Sequence, residues 1–387
     1  MKVPHFYGYP RSNGEAGVRN YLLILSTSGL TAPAARRVAT ALPGSRLVSM
    51  PFGGGLLGND RKVHLRSLAG FGKNPNVGAV VLLGSDAPRM AALADGIRSA
   101  GKPVTSICLD DCSHDSLQLS SRAITEGASL HREISRQRRR KIPLAKLFVG
   151  TECGRSDPSS GLIANPIIGR VVDTIVDLGG RAVFGETLEW LGAEHLLKRR
   201  AASAEIGNRI CEAVHRRERL AVSHGISLTG NNPNPTNVAA GLSTIEEKSL
   251  GAVTKSGTTP IIGVLEPGQR PVEAGLFAMD APSFSPESLS GFVAAGSQIL
   301  LFSTGVGNSY VSALAPTIKL SANPEAASRL IHQLDFDASG VLEGNLPIEQ
   351  ASKNLLDLLV ETASGSLTWG EVLGEGDEVV SRYGEAL

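Results

Sequence analysis

The sequence predicts an α/β protein of two domains, each built on a mainly parallel sheet with flanking helices. Three observations lead there. The 387 residues exceed what one hydrophobic core usually organises. Short apolar runs alternate with stretches of helical periodicity, the rhythm of βα units. Polar residues recur just after the apolar runs, at the strand ends where open α/β sheets place their sites.

The first run, Tyr21–Ser26 (YLLILS), is bounded by turn residues and followed by 31–42, where Ala, Val and Leu return at helical spacing behind Pro33. A strand feeding a helix is expected. The pattern repeats with 77–83 before 87–99, and with 104–109 leading into a long helix from about Ile124. That helix is expected to end in the basic run Arg136, Gln137, Arg138, Arg139, Arg140, Lys141, closed by Pro143 and read as a solvated helix end, where cations suit the dipole. Contact with phosphate or an acidic partner is the other reading. Between Arg140 and Ala145 the composition turns from charged to apolar, which divides the chain into a first α/β domain, 1–143, and a second, 144–387.

The second domain opens with 147–150, a strand expected to end at Thr151-Glu152-Cys153-Gly154 and to turn into a helix from about Leu162. Residues 182–185 and 298–303 repeat the arrangement and deliver Glu186 and Thr304 to equivalent strand ends; Ile261–Leu265 delivers Glu266. A helix over 348–363 and a polar tail complete the chain.

Composition narrows the function. Lys plus Arg total 38 against 37 Asp plus Glu, so the net charge of +1 gives no whole-chain reason to expect nucleic acid or an anionic membrane as partner. The four cysteines form no CxxC and no disulfide framework, which fits a reducing compartment. Residues 1–20 hold no apolar signal core and no stretch reaches the roughly 18 apolar residues of a membrane span, so a soluble, cytoplasmic enzyme is expected.

Candidate site residues fall in four segments. Around Asn231, Asn232, Asn234 and Asn237, side-chain amides suit hydroxyls and carboxylates, or make an Asx-turn loop. Lys248 and Lys255, with Thr258 and Thr259, offer a carboxylate a charged dock and a base if desolvated, or are solvated lysines beside a helix cap. Glu152, Cys153 and Asp157, with Asn165 further on, combine groups wanted for proton transfer or metal ligation; a buried cysteine after a strand is also a plain apolar filler. His195 sits on an apolar helix as either a structural residue or a base, with Glu186 and Glu189 nearby.

Taken together, these segments resemble the altronate and galactarate dehydratase family, which includes the large subunit of sulfolactate sulfo-lyase. The resemblance is carried by Gly8-Tyr9-Pro10-Arg11, Gly17-Val18-Arg19-Asn20-Tyr21, Glu152-Cys153-Gly154, Ser156-Asp157, Ala164-Asn165-Pro166, Gly192-Ala193-Glu194-His195, Asn232-Pro233 and Lys248-Ser249-Leu250-Gly251. Lys255 with Gly257-Thr258-Thr259-Pro260, Met279-Asp280 and Ala315-Pro316-Thr317-Ile318-Lys319-Leu320 extend it over nearly the whole chain.

The resemblance implies a carbon–oxygen lyase that dehydrates a sugar acid or other small hydroxy acid to a 2-keto-3-deoxy acid, assisted by a divalent metal, iron or manganese. It implies catalytic roles among Glu152, Cys153, Glu186, His195, Lys248 and Lys255. Substrate contacts are expected from Arg19, Asn20, Asp157, Asn165, Asn232, Asn237, Thr258, Thr259, Asp280, Thr304 and Lys319. Longer members carry a small N-terminal domain that the sulfo-lyase supplies as a separate subunit, so a small partner and a homo-oligomer are expected. The first domain departs from the family: where relatives have His, Cys and a Cys-Glu pair, this chain has Pro51-Phe52-Gly53-Gly54-Gly55 and Gly84-Ser85-Asp86. Metal ligands are left unassigned, with Asp60, Asp86, Asp110, Asp111 and His114 as hard donors and a local group of Cys108, Asp111, Cys112 and His114 as a replacement. A sulfo-lyase large subunit and a non-catalytic binding subunit are the alternative functions.

Overall fold

The computed structural model describes residues 4–228 and 232–384. Fourteen strands run along it: β1 (His5–Pro10), β2 (Ala16–Gly17), β3 (Tyr21–Ser26), β4 (Arg46–Ser49), β5 (Val77–Gly84), β6 (Val104–Cys108), β7 (Arg140–Pro143), β8 (Phe148–Cys153), β9 (Arg181–Phe184), β10 (Ile261–Leu265), β11 (Gly275–Met279), β12 (Ile299–Ser303), β13 (Thr317–Ser321) and β14 (Phe336–Asp337). The class is α/β, as expected. A four-stranded parallel sheet has the order β4-β3-β5-β6, a seven-stranded parallel sheet the order β10-β11-β9-β8-β12-β13-β14, and β2-β1-β7 make a small antiparallel sheet.

Helices cover both faces of the first sheet. Ala32–Ala41 and Ser116–Ile134 pack over Leu22, Ile24 and Val81; Gly58–Lys73 and Ala87–Arg98 pack over Leu23, Leu25 and Leu82. Strands buried on two faces read as unbroken apolar runs, which is why β3 and β5 are legible. The second sheet buries Val149, Ala182, Leu301 and Ile318 against the helices Asn165–Asp177 and Ile348–Ser364, and Phe148, Val183 and Phe302 against Ser285–Ala295. Ser285–Ala295 also belongs to the core that holds Leu68 and Phe71 of the first sheet's helix.

Two expectations need correction. The long helix starts at Ser116, capped by the Asp115 carboxylate, and ends at Ile134, before the basic run. Arg140–Pro143 is instead a strand antiparallel to β1, with Ile142 buried opposite Phe6. Arg139 stacks on the Tyr9 ring at 4.9 Å and donates to the Tyr7 carbonyl at 2.7 Å, so part of the run fastens β1 rather than ending a helix. The second domain's first strand runs on through Cys153, so Glu152 lies within it; the following helix is Asn165–Asp177, after a π turn at Ser160–Ala164.

Candidate active site

The sheet order makes β8 the neighbour of β9 and β12, so their carboxyl ends bring Glu152, Cys153, Glu186 and Thr304 to one edge. Glu266, at the end of β10, lies beyond β11 and lines a separate cavity with Arg216 and Arg217. After β9 the chain turns through Glu186, whose φ of 59° places a non-glycine residue in the left-handed region. The 3-10 turn Thr187–Trp190 that follows delivers Glu189.

The lysines arrive from the other side. Thr244 accepts a hydrogen bond from the Glu247 N–H at 3.1 Å and caps the helix Ile245–Val253, which carries Lys248. The 3-10 turn Thr254–Ser256 then places Lys255. Both approaches depend on glycine. A Cβ on Gly169 would lie 2.2 Å from the Thr254 carbonyl oxygen, and one on Gly251 would lie 2.8 Å from the Gly161 Cα. Neither lysine is solvated: the Lys255 side chain is fully buried, and that of Lys248 is 9% exposed.

These groups form one connected cluster. The Lys255 ammonium pairs with the Glu152 carboxylate, and lies 3.3 Å from both Cys153 Sγ and Glu189 Oε2. Cys153 Sγ is 3.4 Å from Glu189 Oε2. Lys248 Nζ reaches Glu189 Oε1 at 3.0 Å and donates to Asn232 Oδ1 at 2.5 Å. From the helix Ser285–Ala295, Ser288 donates to Glu152 at 2.8 Å and Ser285 to Glu186 at 2.9 Å.

Burial and neighbouring charge divide the carboxyls into different roles. Burial, with Glu189 and Glu152 close by, holds the Glu186 carboxyl well above its usual range, so it keeps its proton within hydrogen-bonding reach of Glu189. Burial also works against the Glu189 carboxylate, but Lys248 and Lys255 overcome it and pull Glu189 down to about 2. Burial raises Glu152, with Lys255 opposing. Burial and Glu189 push the Cys153 thiol up to about 12, so Cys153 stays protonated. Burial disfavours the Lys255 ammonium, and the neighbouring Glu152 and Glu189 more than offset that.

A cavity of about 300 Å3 adjoins the cluster, with Lys248, Ser156, Asp157, Asn165, Glu247 and Gly251 among its lining. Lys248 therefore belongs to both the cavity and the cluster. Ser156 Oγ is buried there with no hydrogen-bond partner among the described residues.

Several expected residues are engaged elsewhere. Asn165 accepts from Ser303 at 2.5 Å and donates to the Gly251 carbonyl at 3.0 Å, holding the cavity wall. Asp157 accepts from Ser159, Ser160 and Asn323. Asn237 completes a capping box with Asn234 and donates to the Ser156 carbonyl at 2.9 Å, while Asn231 lies outside the described residues. Thr258 donates its hydroxyl to Asp173 and Thr259 donates its backbone N–H there, while the Thr259 Oγ1 is buried without a hydrogen-bond partner among the described residues. Asp280 pairs with Arg216 and Arg217, Thr304 accepts from the Gly307 N–H, and Lys319 donates to the carbonyls of Asn308 and Ser309. Arg19 clasps Glu371, and Asn20 joins Arg11 to the Ile134 carbonyl. His195 is exposed on the helix Glu194–Arg200, in a groove with Lys198 and Arg199, outside the cluster's contacts.

Sequence reasoning named Glu189 only as a neighbour of His195 and left out Ser285 and Ser288. The three-residue spacing from Glu186 to Glu189 was the one local signal for the first; the serines come from a helix whose approach no local pattern announces.

Glu152, Cys153 and Glu189 are also the one group among the described residues with metal-ligand geometry, their ligand atoms lying within 4.8 Å of one another. Asp60, Asp86, Asp110, Asp111, Cys108, Cys112 and His114 form no such group. Lys255 contacts all three donors, and two ammonium groups already match two carboxylates. A divalent ion does not fit while that ammonium remains.

Residues 144–385 match the model of the D-galactarate/altronate dehydratase C-terminal domain, and residues 8–133 that of the D-galactarate dehydratase/altronate hydrolase second domain. The chain is 35% identical over 389 residues to the (2R)-sulfolactate sulfo-lyase subunit beta of Chromohalobacter salexigens, covering 100% of this chain and 99% of that one. It is 31% identical over 374 residues to the altronate dehydratase of Bacillus subtilis, covering 94% and 74%. With the galactarate dehydratase (L-threo-forming) of Escherichia coli it shares 33% identity over 311 residues, covering 78% and 59%. Among the described residues no helix is long and apolar enough to cross a membrane.

Proposed function

The chain belongs to the D-galactarate/altronate dehydratase family, and from that premise we propose that it is a lyase acting on a small hydroxy acid by elimination beta to the carboxylate. The observation that carries this reading is the double membership of Lys248, which lines the cavity and contacts Glu189 in the buried cluster. A substrate carboxylate docks on the Lys248 ammonium through a charge-assisted contact, and the free Ser156 hydroxyl meets a substrate hydroxyl.

Glu189, kept ionised by two lysines, takes the proton from the carbon alpha to the carboxylate. The bond from the beta carbon to its oxygen breaks, and Glu186 gives its proton to the departing hydroxide, releasing water. The enol becomes a 2-keto-3-deoxy acid, and a proton passing from Glu189 to Glu186 resets the pair. Lys255 stabilises the buried charge throughout. Iron or manganese assistance is part of the family expectation; the Glu152, Cys153 and Glu189 donors would take such an ion only in exchange for the Lys255 ammonium. A homo-oligomer and a separate small subunit belong to the same proposal.

A carbon–sulfur lyase is the second reading, favoured by the near end-to-end match to a sulfo-lyase subunit beta. Sulfite leaves without needing a proton, so the readings differ in their demand on Glu186. The test is a 2-keto acid and sulfite assay over aldonates, aldarates and sulfolactate, with and without iron or manganese and with and without a candidate small subunit. Keto acid without sulfite, lost in Glu186→Gln, supports the dehydratase. Sulfite release that survives Glu186→Gln moves the assignment to the second reading. Inertness under every condition overturns both in favour of a binding subunit.

A further inference from the structure

The first sheet carries a cavity of its own. β3 and β5 are neighbours, yet β3 continues to β4 on one side and β5 to β6 on the other, which makes the gap between them the topological switch point where open α/β sheets bind ligands. At this carboxyl edge a cavity of about 760 Å3 is lined by the glycine turn Gly53, Gly54, Gly55 and by Arg61, Asp86 and Arg89.

Two features mark it as built for a ligand. First, the charge is unbalanced. Asp86 is the one carboxylate lining it, and one of its oxygens is taken by the Arg89 backbone N–H at 3.0 Å as the helix cap. Neither Arg61 nor Arg89 forms an ion pair among the described residues, and Arg382, stacked on the neighbouring Phe52 ring at 5.2 Å, adds a third cation beside the turn. Second, polar atoms on and behind the turn lack hydrogen-bond partners among the described residues. Arg89 donates to the Gly53 carbonyl through one terminal nitrogen, but its Nε is buried without a hydrogen bond. Ser28, on which Gly53 packs so closely that a Cβ there would lie 2.2 Å from the Ser28 Cβ, has a buried, unpartnered Oγ. His64, 2% exposed, has an unpartnered Nε2. Of these three residues Arg89 is the one that lines the cavity, and a buried donor left without a partner is costly unless something bonds it. Burial and the Arg89 charge press the His64 imidazole down to about 4, so His64 is neutral and retains hydrogen-bonding capacity.

We propose that this cavity is a binding site for the oxyanion group of a small molecule, phosphate or carboxylate, held by Arg61 and Arg89 beside the glycine turn and separate from the Glu152–Lys255 cluster. Arginine matches planar and tetrahedral oxyanions through paired N–H donors, and the missing side chains of Gly53, Gly54 and Gly55 leave room for close approach.

Calorimetric titration of the full chain with inorganic phosphate and, separately, with glycolate tests it at fixed ionic strength. Saturable binding of either is expected, the preferred anion naming the chemistry of the natural group. Arg61→Glu, on an exposed side chain whose replacement leaves the core untouched, should weaken that binding at least tenfold, and Arg89→Met should do the same. Lys248→Met should leave the Arg61-dependent phosphate binding unchanged. No binding of either anion, or binding removed by Lys248→Met and kept by Arg61→Glu, would overturn the proposal.

Discussion

The Lys255 ammonium lies 3.3 Å from Cys153 Sγ, a residue 102 positions earlier in the chain, and the same nitrogen pairs with Glu152 beside it. Removing one member of a buried ion pair strands the other, whereas removing both charges leaves little to compensate. Lys255→Met should lower stability by about 3–5 kcal/mol, and adding Glu152→Gln should recover part of it. Urea unfolding of the two single variants and the double variant measures the coupling; strict additivity would show that the pair does not act as a unit.

Lys255 also occupies the position a metal ion would take. Lys255→Ala should open Glu152, Cys153 and Glu189 to a divalent cation. Cobalt titration should then give thiolate-to-cobalt charge-transfer absorption in Lys255→Ala, lost again on adding Cys153→Ser. Equal absorption in the unmodified chain would mean the ammonium yields its place readily.

Two buried carboxyls should move stability in opposite directions. Glu189 is depressed from 4.5 to about 2 as Lys248 and Lys255 overcome burial, so its contribution is present above about 4.5 and is lost as pH falls toward 2. Glu378 is raised from 4.5 to about 7 by burial, with Ser312 bonded to one oxygen. Its folded form holds the proton more tightly, so its contribution is present below about 4.5 and is lost as pH rises toward 7. Unfolding curves across pH should lose the first slope in Glu189→Gln and the second in Glu378→Gln.

Gly169 lies inside the helix Asn165–Asp177, where alanine would ordinarily be favoured by about 1 kcal/mol. Here its Cβ would meet the Thr254 carbonyl at 2.2 Å. Overpacking of this kind costs about 1–3 kcal/mol. Gly169→Ala should therefore destabilise the chain and, by pushing the Thr254–Ser256 turn outward, reduce turnover more than an equally destabilising substitution far from Lys255. Thermal unfolding and initial rates, measured together, separate the two effects.

The sequence by itself determined the α/β class, because strands buried on both faces leave unbroken apolar runs such as Tyr21–Ser26, and it brought Glu152, Cys153, Glu186, Lys248 and Lys255 into consideration as polar groups at strand ends or in a lysine-rich turn. What it could not supply was long-range. His195 lies on a helix of seven residues, too short for periodicity to say which side meets solvent. Thr258 reads as a substrate contact until Asp173 arrives from another helix to take its hydroxyl hydrogen bond. Arg140–Pro143 exposes three of its four residues, so only its pairing with β1 makes it a strand. Tertiary structure alone decided that Glu189 and Lys255 meet, since sheet order and the close contacts at Gly169 and Gly251 set that distance. Local periodicity carries information about a residue's own element, while the pairing of buried charges depends on how separate elements pack.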